Sequence, residues 1–189
     1  MLETVSKKLF TVDEYYRMLE VGVIHPDDRI ELIEGEIVQM APMSCKHGGC
    51  ITFLNRVLNR LLNNMAIVNS QIPLHLHDYS EPEPDVCILK IRNDDYRNSH
   101  AAPEDILLVI EVSLSTLSYD LNVKVPMYAN SEVIEVWVVD LDNEEVHQFT
   151  EPLDGEYQNH IIHHKNESIQ AQQIEGVVLS VNDILGIES

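Results

Sequence analysis

Residues 103–140 read PEDILLVIEVSLSTLSYDLNVKVPMYANSEVIEVWVVD. Ile106 to Ile110, with Val112 after a break, surround a single carboxylate, Glu111. A run this short and this apolar reads as a strand buried on both faces. An ionised Glu at the end of such a strand is costly unless a cation or a metal meets it. Lys124 is the next lysine in the chain, on what the spacing makes a helix from about Leu117 to Asn130. Glu111 with Lys124 reads either as the beginning of a metal-dependent active site or as a buried ion pair. Asp120 and Lys124 stand at i and i+4, so a pair worth about 0.3–0.5 kcal/mol on one helix face is expected. Pro126 costs on the order of 3 kcal/mol inside a helix, which predicts a kink or a late start near Asn122. Ile134 to Val139 forms a second buried strand, ended by Asp140.

Upstream, residues 1–9 read as a loose tail. Thr11 and Glu14 form a capping box for a short helix to about Glu20. Residues 30–40 form a hairpin around Glu34-Gly35, with Glu31 on the same face as Ile33. Ser44 is a candidate cap for an amphipathic helix over residues 46–64, from the spacing of Ile51, Leu54, Leu58, Leu61, Leu62 and Met65. His47 lies in its first turn, where free N–H groups suit an anion; alone it reads more readily as a surface histidine. Ala66 to His77 alternates as a strand does. His75 and His77 share one of its faces and lack a third ligand at a supporting spacing. Pro82 and Pro84 bring the chain in extended, and Asp85 opens a strand from Val86 to Leu89. Downstream, residues 145–150 and 157–163 form a meander, with 177–180 a last short strand and 181–185 a closing helical turn. His160, His163 and His164 read as surface residues.

The 189 residues, 44% of them hydrophobic, suffice for one globular domain spanning 1–189. No apolar run is long enough to span a bilayer, no signal peptide is expected, and three cysteines lack a metal spacing. A cytoplasmic chain with reduced thiols is expected. The net charge of -20 opposes broad attraction to nucleic acid, while leaving room for a local basic groove or a metal.

Strand, helix and strand carrying Asp85, Glu111 and Lys124 in that order resemble the PD-(D/E)xK nuclease superfamily. More narrowly, about residues 9–187 resemble the Uma2 family (DUF820) of restriction-endonuclease-like proteins. The matching pieces are the 30–37 hairpin, His47-Gly48, Pro84-Asp85-Val86, Glu111 to Thr116, Asp120, Lys124, Tyr128 and Trp137 to Asp140. The resemblance implies an α/β (α+β) restriction-endonuclease-like core: a mixed sheet flanked by helices, with an N-terminal hairpin and a C-terminal meander. It implies a Mg²⁺- or Mn²⁺-dependent endonuclease acting on DNA, and a homodimer or higher homo-oligomer. Asp85 and Glu111 match the metal-binding acids. Ser113 stands where the in-line lysine is usual, and Lys124 resembles a lysine migrated to the helix. Glu31 matches an early acid, and His47 and Asp120 are candidate substrate-binding residues. The pattern also leads one to expect a glycine and a proline before Trp137, where this chain has Glu132 and Ile134. The alternative is a catalytically silent module that dimerises or binds.

Overall fold

The Thr11 hydroxyl accepts from the Glu14 N–H at 3.2 Å, and the Glu14 carboxylate accepts from the Thr11 N–H at 3.0 Å. This reciprocal cap starts α1 (Val12–Glu20), which packs Val12 and Tyr15 against Ile24 and Leu32. The structure, a computed structural model, describes residues 6–187, so residues 1–5 of the expected tail lie outside the described residues. β1 (Ile30–Ile33) and β2 (Glu36–Gln39) pair through a two-residue turn in which Glu34 and Gly35 have φ of 49° and 78°. Two positive φ values match the right-handed twist of a tight hairpin. Ser44 caps α2 (Cys45–Leu62) by accepting from the His47 N–H.

The alternation over residues 66–77 predicts a longer strand than forms. Only β3 (Ile67–Asn69) pairs; residues 70–85 then run irregularly, touching neighbours at isolated bridges such as Leu32–Glu81 and Leu74–Ala101. Pro73, Pro82 and Pro84 have no N–H to give a ladder. The main sheet is completed by β4 (Val86–Leu89), β5 (Ile106–Ser113), β6 (Glu135–Asp140), β7 (Glu145–Leu153) and β8 (Glu156–His163), in the order β3-β4-β5-β6-β7-β8. Only β5 and β6 are parallel, because the helical segment 117–130 carries the chain back between them. β6, β7 and β8 form the meander. The short strand expected near 177–180 does not join it: β10 (Val178–Ser180) pairs with β9 (Ser168–Gln170) in a separate sheet before α5 (Val181–Leu185).

Helices cover both faces. On one, Leu54 and Leu58 of α2 and Ile184 of α5 pack against Ile88, Ile110, Trp137 and Val139. Full burial of each such side chain contributes about 1.5–3 kcal/mol. On the other, Met127 and Tyr128 pack with Ile33 of the hairpin against Cys87, Val109, Val136 and Val138. This is the expected mixed α+β architecture.

The 117–130 segment departs from a regular helix. It consists of α3 (Leu117–Tyr119), a π turn (Asp120–Lys124) and α4 (Val125–Asn130). The Val125 N–H donates to the Asp120 carbonyl, five residues back. The helix therefore begins at Leu117 rather than late, and a widened turn takes up the strain of Pro126. α4 ends in a Schellman pattern: the N–H groups of Glu132 and Val133 donate to Ala129 and Tyr128, both at 3.0 Å. Glu132 has φ 60°, so it occupies the left-handed position where the family pattern leads one to expect glycine.

Candidate active site

Alternation along β5 turns Glu111 to the face that the 117–130 segment covers. Lys124 Nζ lies 3.2 Å from Glu111 Oε1 and 3.0 Å from Glu31 Oε1. The Tyr128 hydroxyl, four residues further along, donates to Glu111 Oε1 at 2.7 Å. All four residues are buried. The expected i,i+4 pair between Asp120 and Lys124 is not made. Asp120 instead accepts from the Ser113 hydroxyl at 2.5 Å and from the Thr116 hydroxyl at 2.8 Å. The π turn changes the angular spacing between positions 120 and 124, so each side chain finds a different inward partner.

Asp85 stands beside this group at the start of β4. Its Oδ2 accepts from the Val112 N–H at 2.9 Å and meets His47 Nε2 at 2.9 Å. Its own N–H donates to Glu111 Oε2 at 3.4 Å. The Asp85 contact raises the pKa of His47 against the opposing effect of burial. His47 thus presents its ring to the Asp85 carboxylate. Glu83 is a site residue that the sequence reading missed. Its N–H donates to Glu31 Oε2 at 3.2 Å, and burial, then Glu31, push its carboxyl up. Tyr128 stands out in the sequence only as part of the family pattern. The period-two spacing of Glu83 with Asp85, and the i,i+4 spacing of Tyr128 with Lys124, were the available signals.

Glu31, His47, Glu83, Asp85, Glu111, Asp120 and Lys124 all line one cleft of about 140 Å³. Its charge balance is one-sided: five carboxylates face Lys124 and Arg29. Burial pushes the Glu111 carboxyl up to about 8; Asp85, Asp120 and Glu31 add to the rise, and Lys124 opposes it. Burial works against the Lys124 ammonium, but Glu111, Glu31 and Asp120 outweigh it and hold the lysine charged. The acids lie at the floor. Among the exposed lining residues (Arg29, Gln39, Ala41, Pro42, Gln71, Leu114 and Ser115), Arg29 carries the only charge. Hard carboxylate oxygens short of positive charge suit a divalent cation, and Asp85 and Glu111 are residues that could hold one. Lys124 fills the space between Glu31 and Glu111, which keeps Glu31 on the lysine. Among the described residues, the one trio of ligand atoms within 4.8 Å of one another is Asp140, Glu145 and His147, outside this cleft.

A mixed sheet between helices, with this cleft where β4, β5 and the 117–130 segment meet, defines a restriction-endonuclease-like protein. The chain belongs to the Uma2 family, described as "putative restriction endonuclease", whose model matches residues 12–182. Among solved structures it is similar to a putative nuclease belonging to DUF820 from Anabaena variabilis, at 16% identity and a TM-score of 0.69. The match covers 94% of this chain and 98% of that one. No curated protein matches the chain. No helix among the described residues is long and apolar enough to cross a membrane.

Proposed function

We propose that this chain is a Mg²⁺- or Mn²⁺-dependent endonuclease that hydrolyses phosphodiester bonds of DNA. The observation that carries the reading is the cleft floor, where buried carboxylates outnumber the one lysine and Glu111 is pushed up to about 8. A site of that charge is completed by a cation. Asp85 and Glu111 would hold it. When bound, the ion supplies Lewis-acid polarisation of a phosphoryl oxygen and a bound water of lowered pKa. The chain's own residues do the rest. His47 and the Val112 N–H fix the Asp85 carboxylate. Lys124 and Tyr128 hold Glu111 Oε1, which leaves Oε2 turned toward Asp85. Lys124 takes the place of the in-line lysine and stabilises the negative charge that builds on the phosphate. Arg29 and the uncharged rim admit a phosphate backbone. One such cleft cuts one strand, so cutting a duplex calls for the homodimer that belongs to this proposal.

The net charge of -20 favours a second reading, a catalytically silent module that dimerises or binds. Incubating the purified chain with Mg²⁺ or Mn²⁺ and labelled duplex DNA, single-stranded DNA and RNA separates the two. DNA cleavage lost on chelation and in Asp85→Asn is the expected result. No cleavage of any substrate with either metal leaves the binding module.

A further inference from the structure

The β6–β7 turn carries a second group of titratable side chains, outside the cleft. Asp140 and Glu145 are partners across the two strands, and His147 follows two residues along β7, so all three project from one face. One ligand atom of each lies within 4.8 Å of the other two. His147 is 5% exposed, and its Nε2 is buried without a hydrogen-bond partner among the described residues. That nitrogen stands 3.2 Å from Glu145 Oε1, in a geometry that makes no hydrogen bond. Leaving a ring nitrogen so placed is costly unless something lies between it and the carboxylate. Two atoms that ligate one tetrahedral metal, each about 2.0–2.1 Å from it, stand about 3.3 Å apart.

We propose that Asp140, Glu145 and His147 form a site for a first-row transition metal of the Zn²⁺ class, separate from the cleft of Asp85 and Glu111. One imidazole with two carboxylates selects Zn²⁺ or Co²⁺ over Mg²⁺, which prefers oxygen ligands alone. The ligands are already oriented. Asp140 Oδ1 accepts from the Asp142 and Asn143 N–H groups, both at 3.0 Å, and Oδ2 accepts from Asn143 Nδ2 at 2.6 Å. A carboxylate oxygen has two lone pairs, so Oδ2 keeps one for a metal. His147 Nδ1 lies 2.9 Å from His160 Nε2; in the tautomer in which His147 Nδ1–H donates to His160, the Nε2 lone pair is left for the metal. His164 Nδ1 lies 3.4 Å from Glu145 Oε2 on the exposed side. Asp140 is also in register with Ser113, whose hydroxyl holds Asp120, so the metal braces the sheet end beside the cleft.

The test adds Co²⁺ to the metal-free full chain and reads visible absorbance, with Zn²⁺ as competitor. The expected result is one equivalent with the intense bands of tetrahedral Co²⁺, displaced by Zn²⁺, and a Tm raised by Zn²⁺. Glu145→Gln and His147→Asn should each weaken binding by at least about tenfold, while Asp85→Asn retains it. Glu145 has a partly exposed side chain, so Glu145→Gln remains informative if His147→Asn fails to fold. No tetrahedral spectrum, a spectrum that survives Glu145→Gln, or one lost with Asp85→Asn overturns the proposal.

Discussion

Glu111→Gln distinguishes a satisfied ion-pair partner from an acid short of a cation. The folded pKa of Glu111 is pushed from 4.5 up to about 8. Between those values the folded chain holds a proton that the unfolded chain has released. The stability this contributes is fully present below pH 4.5 and is lost as pH rises through the folded value, opposite to an ordinary ion-paired carboxylate. One proton gives a slope of about −1.4 kcal/mol per pH unit, so roughly 2 kcal/mol disappears between pH 6 and pH 8. The glutamine variant has no such proton to lose. The difference in stability between wild type and variant should therefore shrink by roughly 2 kcal/mol across that interval, with other titrating groups cancelling. Urea denaturation in a chelator, at fixed ionic strength from pH 6 to pH 9, measures it. Mg²⁺ should flatten the wild-type curve, since a cation favours the ionised form. Parallel curves for the two proteins would refute the reasoning. So would a constant loss of about 3–5 kcal/mol in the variant, which is what removing one half of a satisfied buried pair costs.

If the chain cleaves DNA, Lys124→Met should lower kcat by about 10²–10³ with little change in KM. Unchanged cleavage in Lys124→Met, beside abolished cleavage in Asp85→Asn, removes the lysine from the mechanism. Glu132→Gly should stabilise the chain by a few tenths to about 1 kcal/mol in denaturant, because it relieves a left-handed backbone at an exposed site; a lower midpoint counts against that strain. Gly35→Ala should destabilise by at least about 1–2 kcal/mol, since its φ is 78° and the new Cβ would lie 2.6 Å from Leu9 Cβ. An unchanged Tm would show that the hairpin yields there.

The features legible in the sequence are those whose cause is local or periodic. The Thr11–Glu14 box declares itself over four positions. The leucine spacing gives α2, and the apolar runs give β5 and β6. The contacts around Glu111 are legible only in part. Lys124 reaches Glu31 across 93 positions, and that meeting depends on how the hairpin lies against the 117–130 segment. No single residue announces the π turn; Pro126 marks strain in the helix without fixing how it is absorbed. The glycine that the family pattern leads one to expect is absent here, yet Glu132 adopts the left-handed backbone and closes the helix. Glu145 and His147 share a strand face by period two, but Asp140 joins them only through the hairpin pairing.

The π turn holds one residue of surplus chain. Asp120 is moored to Ser113 at one end of the turn, and Tyr128 to Glu111 beyond the other. An in-frame deletion of one codon from 121–123 would restore a regular helix. Seven steps of such a helix, at about 100° each, come within about 20° of two full turns, so both moorings would still face inward; the π turn is where the chain holds one residue more than those two turns need. No point substitution mimics this, because the surplus is one of count and not of chemistry. Loss of that residue is therefore a change of length that both moorings survive, whereas the side chain of Lys124 between them is held by Glu31 and Glu111.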